Sequence, residues 1–151
     1  MSSHHVRVFW ERTTPDFKYD SYEREHAVTF GGGLAITASA APEYRGKPEH
    51  PNPEEALVFA LSSCHMLTFL AVAAKRKLVV DRYEDQAEGT LAKNAQGKLA
   101  VTHVTLRPKI TWSGEVPSEE TVARMHETSH RECFIANSVT TEITVESEAR
   151  A

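Results

Sequence analysis

The chain has 151 residues, 40% of them hydrophobic and 25% charged, with a formal net charge of −4. That is long enough for one domain over residues 1–151 with a real core, and the composition excludes global disorder. The mild acidity and the lack of a basic stripe exclude a nucleic-acid partner, and two cysteines, Cys64 and Cys133, are too few for a secreted disulfide framework.

Met1 to Val8 carries no apolar signal region, so the expected location is cytoplasmic. His5 to Arg12 alternates apolar and polar residues through Val6, Val8 and Trp10, which predicts a strand. Thr13 to Tyr22 is turn-like. Glu25 to Phe30 and Leu34 to Ser39 flank Gly31-Gly32-Gly33, a hairpin signal, because glycine supplies the positive φ of tight turns. Ala40 to Pro51, with three prolines, Arg45 and Gly46, is a polar loop.

Asn52-Pro53-Glu54-Glu55 opens a helix that runs through an apolar stretch to Ala74. Asn52 caps it, Pro53 suits the first helical position, and Glu55 completes a capping box. The stretch is apolar or small on every side, so it belongs in a core or a membrane. Ser62, Ser63, Cys64, His65 and Thr68 interrupt its centre, which argues against a membrane span and for a buried central helix wrapped by sheet. At ~1.5 Å per residue the helix is about 33 Å long. That is long for a small domain and points to cover by another subunit.

Lys77 to Asp81 turns the chain, and Tyr83 to Lys93 and Lys98 to Trp112 form a second hairpin around Asn94 to Gly97. A shift of phase near Thr102-His103 signals a bulge, and Pro108 signals an edge or an irregularity. Ser118 to Glu132 is a second helix with Val122, Met125 and Ser129 facing inward. Cys133 to Ser138 follows, then a last strand over Thr140 to Val145 and a polar tail. The order of strands, buried helix, strands, helix and strand is α+β.

Cys64 by itself reads as a core thiol. Its polar neighbours Ser62, Ser63 and His65, set in an apolar helix, predict that something polar faces them. Glu54 stands ten residues earlier, about 15 Å of helical rise away, so it can act at Cys64 only through an intermediary such as a long basic side chain. Cys133 closes the second helix, and spacing leaves open whether its sulfur meets that of Cys64. His126, His130 and Cys133 fall at i, i+4 and i+7. Those types at that spacing suit zinc, with Cys64 or His103 as a fourth ligand; a solvated polar face is the plainer reading.

Asn52-Pro53-Glu54-Glu55, the step Ser62-Ser63-Cys64 ten residues beyond Glu54, and the late Glu132-Cys133 together resemble the OsmC/Ohr family of thiol-dependent peroxidases. The resemblance extends over about residues 5 to 146. It implies an α+β fold in which antiparallel sheets wrap a long buried helix, and an intertwined homodimer with sites at the interface. It implies reduction of organic hydroperoxides, and to some degree hydrogen peroxide, to alcohol and water, in oxidative stress defence. Cys64 would be the peroxidatic thiolate and Cys133 the resolving thiol. Glu54 would hold an arginine facing Cys64: Arg45 from the loop before the helix, with Arg24 as runner-up. Phe59, Phe134 and His65, which departs from the aromatic residue usual after the cysteine, would contact the substrate. No resident cofactor and no metal are implied. The reductant would be an external dithiol, of the lipoyl type by resemblance. The physical logic is independent of the family. A free thiol of pKa about 8.5 is only a few per cent thiolate at neutral pH, and a guanidinium beside a thiol raises that fraction. The competing reading is a non-catalytic protein of the same fold that binds small molecules or metal, or senses redox state.

Overall fold

The structure is a computed structural model that describes residues 1–149. Its contacts gather into two compact units, Met1–Ala56 and Leu57–Ala151.

The first unit is built on an antiparallel sheet of β1 (Val6–Phe9), β2 (His26–Phe30) and β3 (Ala35–Ala38), with β2 central. The glycine triad makes the expected hairpin: Gly33 has φ +90° and its N–H reaches Phe30 O at 2.8 Å. Val28 faces Ile36 across the ladder. The loop after β3 is more ordered than its composition suggests. Ser39 is fully buried, its N–H bonds Pro51 O at 2.9 Å, and its hydroxyl accepts from Lys47 N at 3.1 Å. Pro42–Tyr44 forms a short 3₁₀ helix that ends on Arg45 at φ 64°.

Helix α1 (Pro53–Lys75) starts where the sequence predicts. The capping box is reciprocal: Glu55 N donates to Asn52 Oδ1 at 2.9 Å, and Asn52 N donates to Glu55 Oε2 at 3.1 Å. Glu54 and Glu55 lie at the positive end of the helix dipole and Lys75 at the negative end. Removing the cap in Asn52→Ala is expected to cost about 1 kcal/mol, read as a lower urea midpoint with an unchanged m-value.

The second unit holds two three-stranded sheets, β4-β7-β9 and β5-β6-β8. Their members are β4 (Val79–Asp85), β5 (Glu88–Lys93), β6 (Leu99–Leu106), β7 (Pro108–Ser113), β8 (Glu142–Val145) and β9 (Glu148–Ala149). The pairing is antiparallel within β4-β7 and β5-β6. Each of these antiparallel pairs is extended by one short parallel strand, β8 on β6 and β9 on β7. The predicted strand Lys98–Trp112 is two strands in two sheets. The switch falls at Arg107, whose backbone N–H goes to Asp85 Oδ1 at 2.6 Å rather than to a ladder. Pro108 then takes the first position of β7, where it has no ladder donor to lose. The bulge lies where the phase shifts: Thr90 pairs with His103 and Leu91 with Val101, so Thr102 is left over. β9 is a strand inside the tail expected to be plain; the last two tail residues lie outside the described ones.

Helix α2 (Glu119–Glu132) is capped by Ser118, whose hydroxyl accepts from Thr121 N at 3.2 Å. Val122, Met125 and Ser129 are buried as expected, and so is His126. The core has two clusters. One gathers Phe69, Ala73, Ile110, Trp112, Val122 and Met125; the other gathers Leu61, Val104 and Leu106. α1 reaches them with one residue per turn: Leu61, His65, Phe69 and Ala73. It runs so close to β5 that a Cβ on Gly89 would stand 2.5 Å from Val58 Cγ2. Sheet and α2 cover a single stripe, and within one chain Phe59 and Leu67 remain 65% and 61% exposed.

Candidate active site

Cys64 is half-buried on the flank of the inward stripe of α1, one helical step before His65. It opens onto a groove of about 950 Å³. The walls are mostly apolar: Phe59, Leu67, Ala71 and Val72 from α1, and Phe134 and Ile135 from the segment after α2. Phe134 is 81% exposed. Polar groups are few. Thr68 lines the groove but turns its hydroxyl to Cys64 O at 2.8 Å. Lys75, Arg76 and Glu132 also border it.

Cys133 caps the C-terminus of α2 in an extended conformation, so the chain leaves the helix there and folds into the 3₁₀ turn Ala136–Ser138. The residue is 1% exposed, and its Sγ accepts from Ala136 N at 3.4 Å. Both cysteines are free thiols, and the Cys64 side chain is near enough to the Cys133 thiol to act on its titration. Burial first, and then the neighbouring Cys64, push the Cys133 thiol above its ordinary range; the N–H groups of Ala136 and Ile135 act in the opposite direction. Cys64 thus faces a groove, while the neighbouring Cys133 is buried.

The polar centre of α1 has its partners. Ser62 Oγ donates to Asp85 Oδ2 at 2.5 Å, and the other oxygen of Asp85 holds Arg107 N. His65 Nε2 lies 3.0 Å from His126 Nδ1 across to α2. His65 is therefore turned into the core and does not line the groove, which corrects its expected place against a substrate. It sits on the i+4 stripe that packs inward, while Cys64, 100° around the helix, faces out. Burial holds both rings well below the usual histidine range, at about 4 each; His130 lowers His65 further and Asp85 opposes this.

The zinc alternative does not assemble. His126 points at His65, His130 is exposed, and among the described residues no three His, Cys, Asp or Glu side chains converge as a metal site.

Glu54 and the arginines belong to the first unit. Glu54 lines a cleft of about 490 Å³ walled by Trp10, Phe17, Tyr22 and Tyr44, and its Oε2 is buried without a hydrogen-bond partner. Arg24 lines the same cleft, with its guanidinium 3.7 Å from the centre of the Tyr22 ring and bonded to Tyr19 O at 2.5 Å. Arg45 instead pairs with Asp20 at 2.8 Å on an exposed surface. Asp85 is the site-shaping residue that the sequence did not single out, and His126, singled out there only as a zinc candidate, is instead the partner of His65. The signal for both was the polar pair Ser62 and His65, three residues apart in an apolar helix.

A two-thiol centre on an α+β scaffold with one long apolar helix defines the class. The profile of the OsmC-like protein family matches residues 46–148, and this chain belongs to that family. The structure of an OsmC-like protein of unknown function from Vibrio cholerae is similar at a TM-score of 0.94 and 44% identity, covering 98% of this chain and 100% of that one. An organic hydroperoxide resistance protein from Elizabethkingia anophelis is similar at a TM-score of 0.76 and 15% identity, covering 99% of this chain and 98% of that one. One from Bacillus subtilis is similar at 0.63 and 16%, with coverage of 99% and 98%. The last two likenesses concern the fold alone. No match was found among curated proteins.

Proposed function

We propose that this protein is a two-cysteine peroxidase that reduces organic hydroperoxides. The observation that carries this reading is a groove-facing Cys64 with the buried Cys133 as its neighbour. Two OsmC-fold neighbours named for organic hydroperoxide resistance support it.

The chemistry has three steps. The Cys64 thiolate attacks one peroxide oxygen and the O–O bond breaks. The leaving alkoxide takes a proton and departs as the alcohol, and Cys64 becomes a sulfenic acid. Cys133 then attacks the oxidised sulfur. A disulfide forms, water leaves with the Cys133 proton, and Cys64 is kept from irreversible overoxidation. An external dithiol, of the lipoyl type by family likeness, restores both thiols by exchange. The apolar walls Phe59, Leu67 and Phe134 favour a hydroperoxide with an apolar body.

Glu54 and an arginine form the pair we assign to thiolate activation, because a guanidinium stays charged when partly buried and bonds a carboxylate as a fork. Arg24 is the better candidate, since it shares the cleft of the unpartnered Glu54 oxygen while Arg45 is already paired with Asp20. The unpartnered apolar surface of α1 fits a homodimer, and a cytoplasmic location fits a cycle that needs a cellular dithiol.

The test is the intact mass of reduced protein after one equivalent of cumene hydroperoxide. Wild type should lose two hydrogens, and Cys133→Ser should gain one oxygen at Cys64. An unchanged mass in both proteins removes the proposal.

A further inference from the structure

The contact between His65 and His126 has no role in the chemistry above, although it joins the two elements that carry the two thiols. His65 follows Cys64 directly on α1. His126 stands two turns before Cys133 on α2, about 10 Å along that helix. The rings lie nearly parallel at 11°, with Nε2 and Nδ1 3.0 Å apart. His126 also stacks on Phe69 at 4.4 Å. Among the described residues this is the one hydrogen bond that joins α1 to α2; Phe69 and Ala73 of α1 also share an apolar cluster with Val122 and Met125 of α2. Apolar packing resists separation, but it specifies position less sharply than a directional bond does.

The chemistry of the pair makes it sensitive to protons. Two neutral imidazoles share one N–H···N bond, with one nitrogen donating and the other accepting. A proton on either ring puts a charge into the core, and protons on both leave two donors facing each other. The charged and titratable groups around the pair are few. His65 faces His126 and feels His130 from α2 and Asp85 from β4; His126 faces His65. Asp85 is already engaged by Ser62 and by Arg107 N. From β4 and β7, Tyr83 and Trp112 pack on Phe69, and both are uncharged at neutral pH. His126 Nε2 is buried without a partner, so nothing is in place to accept or stabilise a second N–H there.

We infer that His65 and His126 are positioning residues: their contact clamps α2 on α1, holds the Cys133 thiol where it closes a disulfide on Cys64, and opens in acid. The inference deepens the two-thiol cycle proposed above and rests on it. It separates the two steps. The clamp serves disulfide closure and leaves the first attack by Cys64 unaffected.

The decisive experiment uses 2,2′-dithiodipyridine on the reduced full-length chain, because this reagent reads closure without any peroxide. Cys64 cleaves the reagent's S–S bond, releases one 2-thiopyridone and becomes a mixed disulfide. Cys133 then attacks the Cys64 sulfur, loses its proton, and releases the second 2-thiopyridone as the internal disulfide forms. His126→Ala should slow the second release at least about tenfold at neutral pH and leave the first unchanged. His126→Asn, which keeps a hydrogen-bonding atom at the Nδ1 position, should restore it. The paired variant H65Q/H126N keeps a bond without a titrating ring. Between about pH 7 and pH 4 closure in wild type should fall at least about twofold more than in this variant. Closure at the wild-type rate in folded His126→Ala, or a parallel fall with pH in wild type and H65Q/H126N, overturns the inference. If His126→Ala does not fold, the pH comparison alone decides. Should cumene hydroperoxide leave Cys64 unmodified while these closure rates behave as stated, the peroxidase reading fails and the positioning role stands.

Discussion

Cys64→Ser is expected to lower hydroperoxide turnover by on the order of a thousandfold or more, because a serine hydroxyl is not ionised at neutral pH and cannot enter the sulfenic acid cycle. Cys133→Ser should behave differently. Its first turnover should proceed at the wild-type rate and then stall, since the sulfenic acid at Cys64 has no internal thiol to condense with. Steady-state rates with cumene hydroperoxide and a dithiol, beside a single-turnover trace, separate the two. The split follows from the structure: Cys64 lines the groove, while Cys133 is 1% exposed. The same assay ranks the arginines. If Glu54 holds Arg24, then Arg24→Gln should slow the single-turnover phase and Arg45→Gln should leave it near wild type, because Arg45 is bound to Asp20 on the surface. Wild-type turnover in Cys64→Ser would end the peroxidase reading and favour a protein that binds or senses without turnover.

Much of this was legible in the sequence because local rules decided it. The capping box, the glycine hairpin, the Ser118 cap, the α2 stripe and the bulge at Thr102 each follow from a few adjacent residues. The misses all involve contacts distant in sequence. Nothing in Lys98–Trp112 states that the chain changes sheets at Arg107; that switch depends on Asp85, 22 residues earlier, capturing the Arg107 N–H. β9 is two residues long and gains its ladder only by lying beside β7. In α1, composition overstates burial, because an apolar helix looks alike on every side until it is known which side the sheet covers. The four-residue spacing of Leu61, His65, Phe69 and Ala73 marks that side once one knows to weight Phe69 above Phe59. For the site, residue types located both thiols. Their proximity, and the inward turn of His65, depended on how α2 docks, which a single helical stripe does not reveal.

Acid should destabilise this protein well before its carboxylates titrate. His65 and His126 are held at about 4 in the folded chain, mainly by burial, against 6.5 for a free imidazole. The sign follows from which state binds protons. Above about pH 6.5 neither state is protonated at these rings, and they have no effect on stability. Between about 6.5 and 4 the unfolded chain takes up protons that the folded core excludes, so stability falls as pH falls. The limiting slope is about 1.4 kcal/mol per pH unit for each ring, and the whole loss roughly 3 kcal/mol for one ring. Since small domains hold only about 5–15 kcal/mol, that is a large share. Urea unfolding at about pH 7, 6 and 5 measures it in the window above ordinary carboxylate titration. Glu25, which Lys47 holds below the carboxylate range, cannot mimic the effect, because its contribution is lost only at lower pH still. In H65Q/H126N the slope across this window should be flatter by close to the contribution of both rings, whatever its stability at neutral pH. Equal slopes in the two proteins would mean that the pair is charged or solvated in the folded state. The clamp between α1 and α2 would then lose its physical basis as well.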